Sequence, residues 1–163
     1  MPWREVPVRA WFAALALGAF GLVAAGMELQ NLVRLAPCPL CIFQRVLYMV
    51  IGLVALLGAF APAGRSLWAV SIALTATGGA AVAGYQTWMQ AFPHLATECG
   101  YSDPNAVERL VEWLGMQWPS LFLATGFCSG RDWEFLGLSL ANWSLLMFGG
   151  IAGYAALLSV RKD

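Results

Sequence analysis

Charge is what this chain has least of. Only 11% of its 163 residues are Asp, Glu, Lys or Arg, against about 25% in soluble globular domains, while 60% are hydrophobic. A water-soluble core of this size has no use for so much apolar surface, and the excess is clustered. The class implied is therefore an integral membrane protein, embedded in a lipid bilayer. Nine basic and nine acidic residues cancel to a formal net charge of zero, which removes any bulk electrostatic case for binding nucleic acid. Histidine is nearly missing, and the sole one, His94, is isolated. No low-complexity tract or internal repeat breaks the pattern, and residues 1–163 read as a single membrane domain.

Four apolar runs are long enough to cross roughly 30 Å of hydrocarbon at ~1.5 Å per residue. They cover about 10–27, 42–60, 67–88 and 143–160. The first three hold one arginine between them and no carboxylate, and the fourth has no charge. Backbone polar groups in lipid need partners within their own segment, so these runs are helices. Gly79, Ala80, Ala83 and Gly84 in the third run, and Gly149, Gly150 and Gly153 in the fourth, are small enough to let neighbouring helices approach. The expected fold is all-α, a bundle of four transmembrane helices. The first run, preceded by Arg4 and Arg9 and ending in Ala24-Ala25-Gly26, has the outline of a secretory signal. Its apolar stretch is longer than a usual signal core, so a retained helix is expected.

Basic residues orient the bundle. Arg4 and Arg9 precede the first run, Arg65 lies between the second and third, and Arg161 and Lys162 follow the fourth. With four crossings all five fall on one side, which is then cytoplasmic and carries both termini. Two larger loops, about 28–41 and 89–142, face outward. The longer one holds Glu98, Asp103, Glu108, Glu112, Asp132 and Glu134 against Arg109 and Arg131.

All four cysteines fall on that outer side. Cys38 and Cys41 lie in "RLAPCPLCIFQR" at the mouth of the second helix, and Cys99 and Cys128 lie in the longer loop. An oxidising compartment favours paired thiols there. Three readings compete: two structural disulfides, a four-thiolate zinc site, and redox catalysis. The second pair lacks the short spacing of a zinc knuckle, so no metal is assigned. Covalent haem attachment needs a histidine after the second cysteine, where Ile42 stands. A Cys-x-x-Cys ring is too tight to gain much from loop entropy, but it is a common form of a dithiol that cycles.

The surroundings of Cys41 favour redox chemistry. Pro39 suits a first helical turn, where its missing N–H costs little. Cys41 then sits at a helix N-terminus, where free N–H groups and the dipole favour a thiolate. Arg45 is four residues on, on the same helix face. A cation there holds the thiolate further; the plainer role for Arg45 is to snorkel to the headgroups.

The stretch "DPNAVERLVEWLGMQWPSLF" between the outer cysteines predicts a short amphipathic helix, with Asp103 as N-cap and Pro104 at its first position. Val107, Leu110, Val111, Leu114 and Trp118 share one face. Such a helix either lies flat at the bilayer interface or packs on the outer end of the bundle. The ring from Cys99 to Cys128 spans about 30 residues, so a disulfide closing it would stabilise the loop by about 3–4 kcal/mol. The spacing alone therefore leaves a bracing role open.

Taken together, "PCPLCIFQR", "TEC", "ATGFCSGRDWEFLGL" and "ANW" resemble the bacterial DsbB family of disulfide bond formation proteins, and the likeness covers nearly the whole chain. The resemblance implies an inner-membrane thiol:quinone oxidoreductase. A soluble thioredoxin-fold oxidant of the DsbA type attacks a Cys99–Cys128 disulfide and is joined through Cys99. Cys128 then attacks Cys38 of a Cys38–Cys41 disulfide. Cys41 is freed beside a membrane quinone, ubiquinone or menaquinone, with Arg45 near its ring and Gln30 at a family position near it. A DsbB-like paralogue with one dedicated partner shares these features. A vitamin K epoxide reductase-like enzyme fits the helix order less well. A membrane protein merely braced by disulfides is the non-enzymatic rival.

Overall fold

A computed structural model describes residues 7–94 and 104–160. Four long helices dominate it: α1 (Val8–Val33), α2 (Pro39–Phe60), α3 (Arg65–Ala91) and, last in the chain, α6 (Leu140–Val160). Each is long and apolar enough to cross a membrane, and the protein is a multi-pass membrane protein with an all-α bundle. Leu17, Leu53, Leu74 and Leu157 point outward, all more than half exposed. In water that arrangement would be costly, whereas against lipid tails it costs nothing.

The helices outrun the apolar stretches that mark them. Hydrophobicity reports the depth of the hydrocarbon, while the hydrogen-bond ladder continues into the interface until something ends it. For α1 that end is Arg34, whose backbone turns left-handed at φ 55. At α2 the start is set by Cys38, whose sulfur accepts the N–H of Cys41, with Pro39 in the first turn.

α3 packs along α6, α1 along α2, and α2 also against α3. The core is built from Phe12, Ile51, Ile72, Ala76, Phe148 and their neighbours. Close approach occurs at Gly52, Gly58 and Gly79, where an added Cβ would overlap the Phe20, Phe12 and Phe148 rings. The glycines of α6 do not share that role. Gly149, Gly150 and Gly153 are exposed and meet no neighbouring helix, because α6 turns Phe148, Ala155 and Leu158 inward instead.

Between α3 and α6 the chain forms α4 (Ala106–Gln117), the single-turn α5 (Pro119–Phe122) and a hairpin of β1 (Glu134–Phe135) and β2 (Leu138–Ser139). Leu136 and Gly137 both take positive φ at the hairpin tip, as a two-residue turn between twisted strands requires. The amphipathic helix expected from the sequence is present, but its cap differs. Asn105 is the N-cap: its side chain accepts the N–H groups of Val107 and Glu108, and Glu108 reaches back to the Asn105 N–H. Asp103, the expected cap, lies outside the described residues. Asn105 wins because only it has a glutamate three residues on to complete the reciprocal pair. Val111 and Gly115 pack inward beside Phe122 and Ile42, whereas Leu110, Trp113 and Trp118 stay exposed. The buried stripe is thus narrower than the five-residue face read from periodicity.

Candidate dithiol site at one end of the bundle

The Cys-x-x-Cys ring is held by α2 itself. Cys38 ends the extended approach and Cys41 is the third residue of the helix. The Cys38 Sγ donates to the Cys41 Sγ at 3.0 Å, and the Cys41 N–H donates back to the Cys38 Sγ at 3.3 Å. In the contact between the two sulfurs, the Cys38 thiol is the donor and Cys41 the acceptor.

Cys128 joins them from the long loop. It is fully buried and packs with Cys38, Leu40 and Met89. Contact with Cys128 is the largest influence holding the Cys38 thiol well above its ordinary range, followed by contact with Cys41 and then burial. The loop reaches this depth because Thr125 and Gly126 donate their N–H groups to the Pro37 carbonyl, at 2.9 and 3.1 Å. A Cβ at Gly126 would overlap the Ala36 carbonyl, so only glycine allows the two loops to touch. Gly126 thus lets Cys128 dock against the first loop. Beyond Cys128, Gln90 donates to the Gly130 carbonyl at 2.9 Å and accepts from the Ser139 hydroxyl at 2.6 Å. This clamps the loop between α3 and the start of α6.

Arg45 does not snorkel to water. Its guanidinium donates to the Leu121 carbonyl at 2.8 Å and to the Gln30 side-chain oxygen at 2.9 Å, linking α5 and α1. Arg45 interacts with Cys41 through charge at longer range. The side chain in direct contact with both sulfurs is one the sequence reading missed. Gln86 of α3 donates from Nε2 to the Cys41 Sγ at 3.1 Å and to the Cys38 Sγ at 3.3 Å. Gln44 of α2 in turn donates to the Gln86 oxygen at 2.7 Å. Amides in otherwise apolar spans were the available signal, since lipid-depth polar groups need partners.

These groups line a cavity of about 270 Å³. Its apolar walls include Leu22, Val23, Leu29, Trp143 and Met147, and its polar lining includes Gln30, Cys38, Cys41, Gln44, Arg45, Tyr48 and Gln86. The structure thus brings together Cys38, Cys41, Cys128, Arg45 and Gln30; Cys99 lies outside the described residues.

Fold and site together define a dithiol centre in a membrane protein, with thiols contributed by the start of α2 and by the long loop and an apolar chamber beside them. A family model described as "Disulfide bond formation protein DsbB" matches residues 8–158. A disulfide bond formation protein B from Dechloromonas aromatica is 69% identical over 159 residues, covering 98% of this chain and 96% of that one. Relatives of the same name from Azoarcus sp. and Nitrosomonas eutropha are 42% and 38% identical, covering 88% and 95% of this chain and 87% and 96% of theirs. The chain belongs to the DsbB family.

Proposed function

We propose that the protein is a disulfide-generating thiol:quinone oxidoreductase of the bacterial inner membrane, with both termini cytoplasmic, and that it recharges a periplasmic DsbA-type dithiol oxidase. The observation that carries this reading is the position of Cys38, in contact with Cys41 on one side and Cys128 on the other, at the wall of an apolar cavity.

The exchange balances as follows. A partner thiolate attacks Cys99 of the Cys99–Cys128 disulfide, and Cys128 leaves as a thiolate. Cys128 attacks Cys38, breaking Cys38–Cys41 and forming Cys38–Cys128. The partner's second thiolate displaces Cys99 and departs as a disulfide. Cys99 attacks Cys128, restores the outer disulfide and leaves Cys38 and Cys41 reduced. That pair closes again by giving up two electrons and two protons. A bound quinone supplies the acceptor for both.

The cavity suits such a group: its walls are apolar, and Arg45 and the Gln30 amide bring N–H donors to its lining. Cys41 accepts hydrogen bonds from Cys38 and Gln86, contacts that favour a thiolate on a sulfur lining that space. One pair exchanges in water and the other discharges into lipid, which accounts for a dithiol at the lip of a membrane helix.

The test is to mix purified protein with a reduced DsbA-type partner and a soluble quinone and follow quinone absorbance. One quinone should be consumed per partner disulfide formed. Cys41→Ser should abolish the loss of absorbance while the protein stays folded; continued turnover in that variant overturns the reading. Disulfides that only brace the loops would ignore quinone altogether.

A further inference from the structure

We infer that Gln44 and Gln86 form a charge-neutral positioning pair in which Gln44 fixes the Gln86 amide with its N–H groups toward the sulfurs, keeping the anion on Cys41 and the proton on Cys38. The inference rests on the reading of Cys38–Cys41 as the pair that discharges.

Both amides are almost completely buried, Gln44 at 5% exposed and Gln86 at 2%. A buried amide left without partners is expensive, so each is committed to the bonds it makes. A primary amide is close to symmetric in shape, and what decides which end faces the sulfurs is the neighbour at the other end. Gln44 supplies a donor there, at 2.7 Å, so the Gln86 oxygen must turn to it. The Gln86 N–H groups are then left for Cys41 at 3.1 Å and Cys38 at 3.3 Å. Had Gln44 offered an acceptor, the amide would turn over and aim its oxygen at a sulfur anion.

The consequence is asymmetric. Both sulfurs accept from Gln86, more closely at Cys41, and Cys38 also accepts the Cys41 N–H; what separates them is the thiol hydrogen, which Cys38 keeps while donating it in a hydrogen bond to Cys41. Charged and titratable groups also face this pair: Arg45 on the same helix, Cys128 from the long loop, and Arg131, Asp132 and Tyr48 around the cavity. The amides add donors without adding charge, so the site can lose its anion when the disulfide closes without stranding a second ion in lipid. Gln86 is placed to touch the reacting sulfur; Gln44 acts only through it.

The test uses the reduced full-length protein without quinone or partner. The pH dependence of iodoacetamide labelling at Cys41 is read by mass spectrometry. Gln86→Met keeps the volume and removes the fork; it should move the midpoint upward by about one to two pH units, a tenfold to hundredfold loss of thiolate below it. Gln44→Met should move it the same way by less, because the amide is freed to turn but not deleted. The double variant should match Gln86→Met alone. Unshifted midpoints in folded variants, or shifts that add in the double variant, overturn the inference. Since no quinone is present, the outcome is independent of whether Cys41→Ser stops quinone reduction, and the two readings can fail separately.

Discussion

At the scale of the residue, the site separates two sulfurs by what surrounds them. Cys38 is 2% exposed and pressed between Cys128 and Cys41, which together with burial hold its thiol well above the ordinary range. A raised acid group stays protonated as pH climbs through its normal titration range, so Cys38 should remain unreactive at neutral pH and label only under alkaline conditions. Cys41 should therefore be alkylated first in the reduced protein. Removing the largest cause with Cys128→Ala should bring Cys38 labelling to lower pH, and an unchanged pH profile would count against the assigned contact. Arg45 acts differently, through a rigid fork. It spans the Gln30 oxygen and the Leu121 carbonyl, a geometry one ammonium cannot reproduce. Arg45→Ala should raise the quinone KM or slow discharge by about tenfold to a hundredfold, in line with ~1.5–3 kcal/mol for a charged hydrogen bond. Arg45→Lys should recover little of that in steady-state assays.

Among elements, the docking of the long loop onto the first depends on the near-contact at Gly126. Gly126→Val must lift the loop from Ala36, break the two N–H bonds to Pro37 and draw Cys128 away from Cys38. Turnover driven by a DsbA-type partner should fall at least tenfold. Turnover driven by a small dithiol that reduces Cys38–Cys41 directly should persist, and equal loss in both assays would point to general unfolding. The start of α2 and the dithiol were legible because they are local: Pro39 in a first turn and Arg45 one turn beyond Cys41 follow from spacing along one chain. The Gln44–Gln86 fork was not legible, because it exists only where α2 meets α3, across 42 positions. The same holds for Gln90 and Ser139, which join α3 to the strand before α6. Periodicity also overstated the inward face of α4. It places Leu110 and Trp118 on one stripe with Val111, yet which part of a stripe meets protein depends on the neighbour's width.

For the whole molecule, the proposed function puts two half-reactions on opposite sides of one sulfur pair, and a substitution in the cavity should separate them. Gly26 of α1 lines the chamber, and a Cβ there meets no other atom within 4 Å. Gly26→Phe would add bulk to a space of about 270 Å³ from a position whose Cβ has room and which makes no hydrogen bond of the cysteine network. Glycine in a helix interior costs about 1 kcal/mol relative to alanine and phenylalanine costs less than that, so the exchange does not lower helix propensity. The three described cysteines lie on α2 and the loops, with Gln86 bracing them from α3, and none of these contacts involves residue 26. The quinone KM should therefore rise tenfold or more, while a single round of disulfide transfer to a reduced DsbA-type partner, measured without quinone, keeps its rate and stoichiometry. If transfer in the absence of quinone slows as much as quinone reduction does, the chamber and the exchange site are one mechanical unit, and the division between a wet side and a lipid side would have to be abandoned.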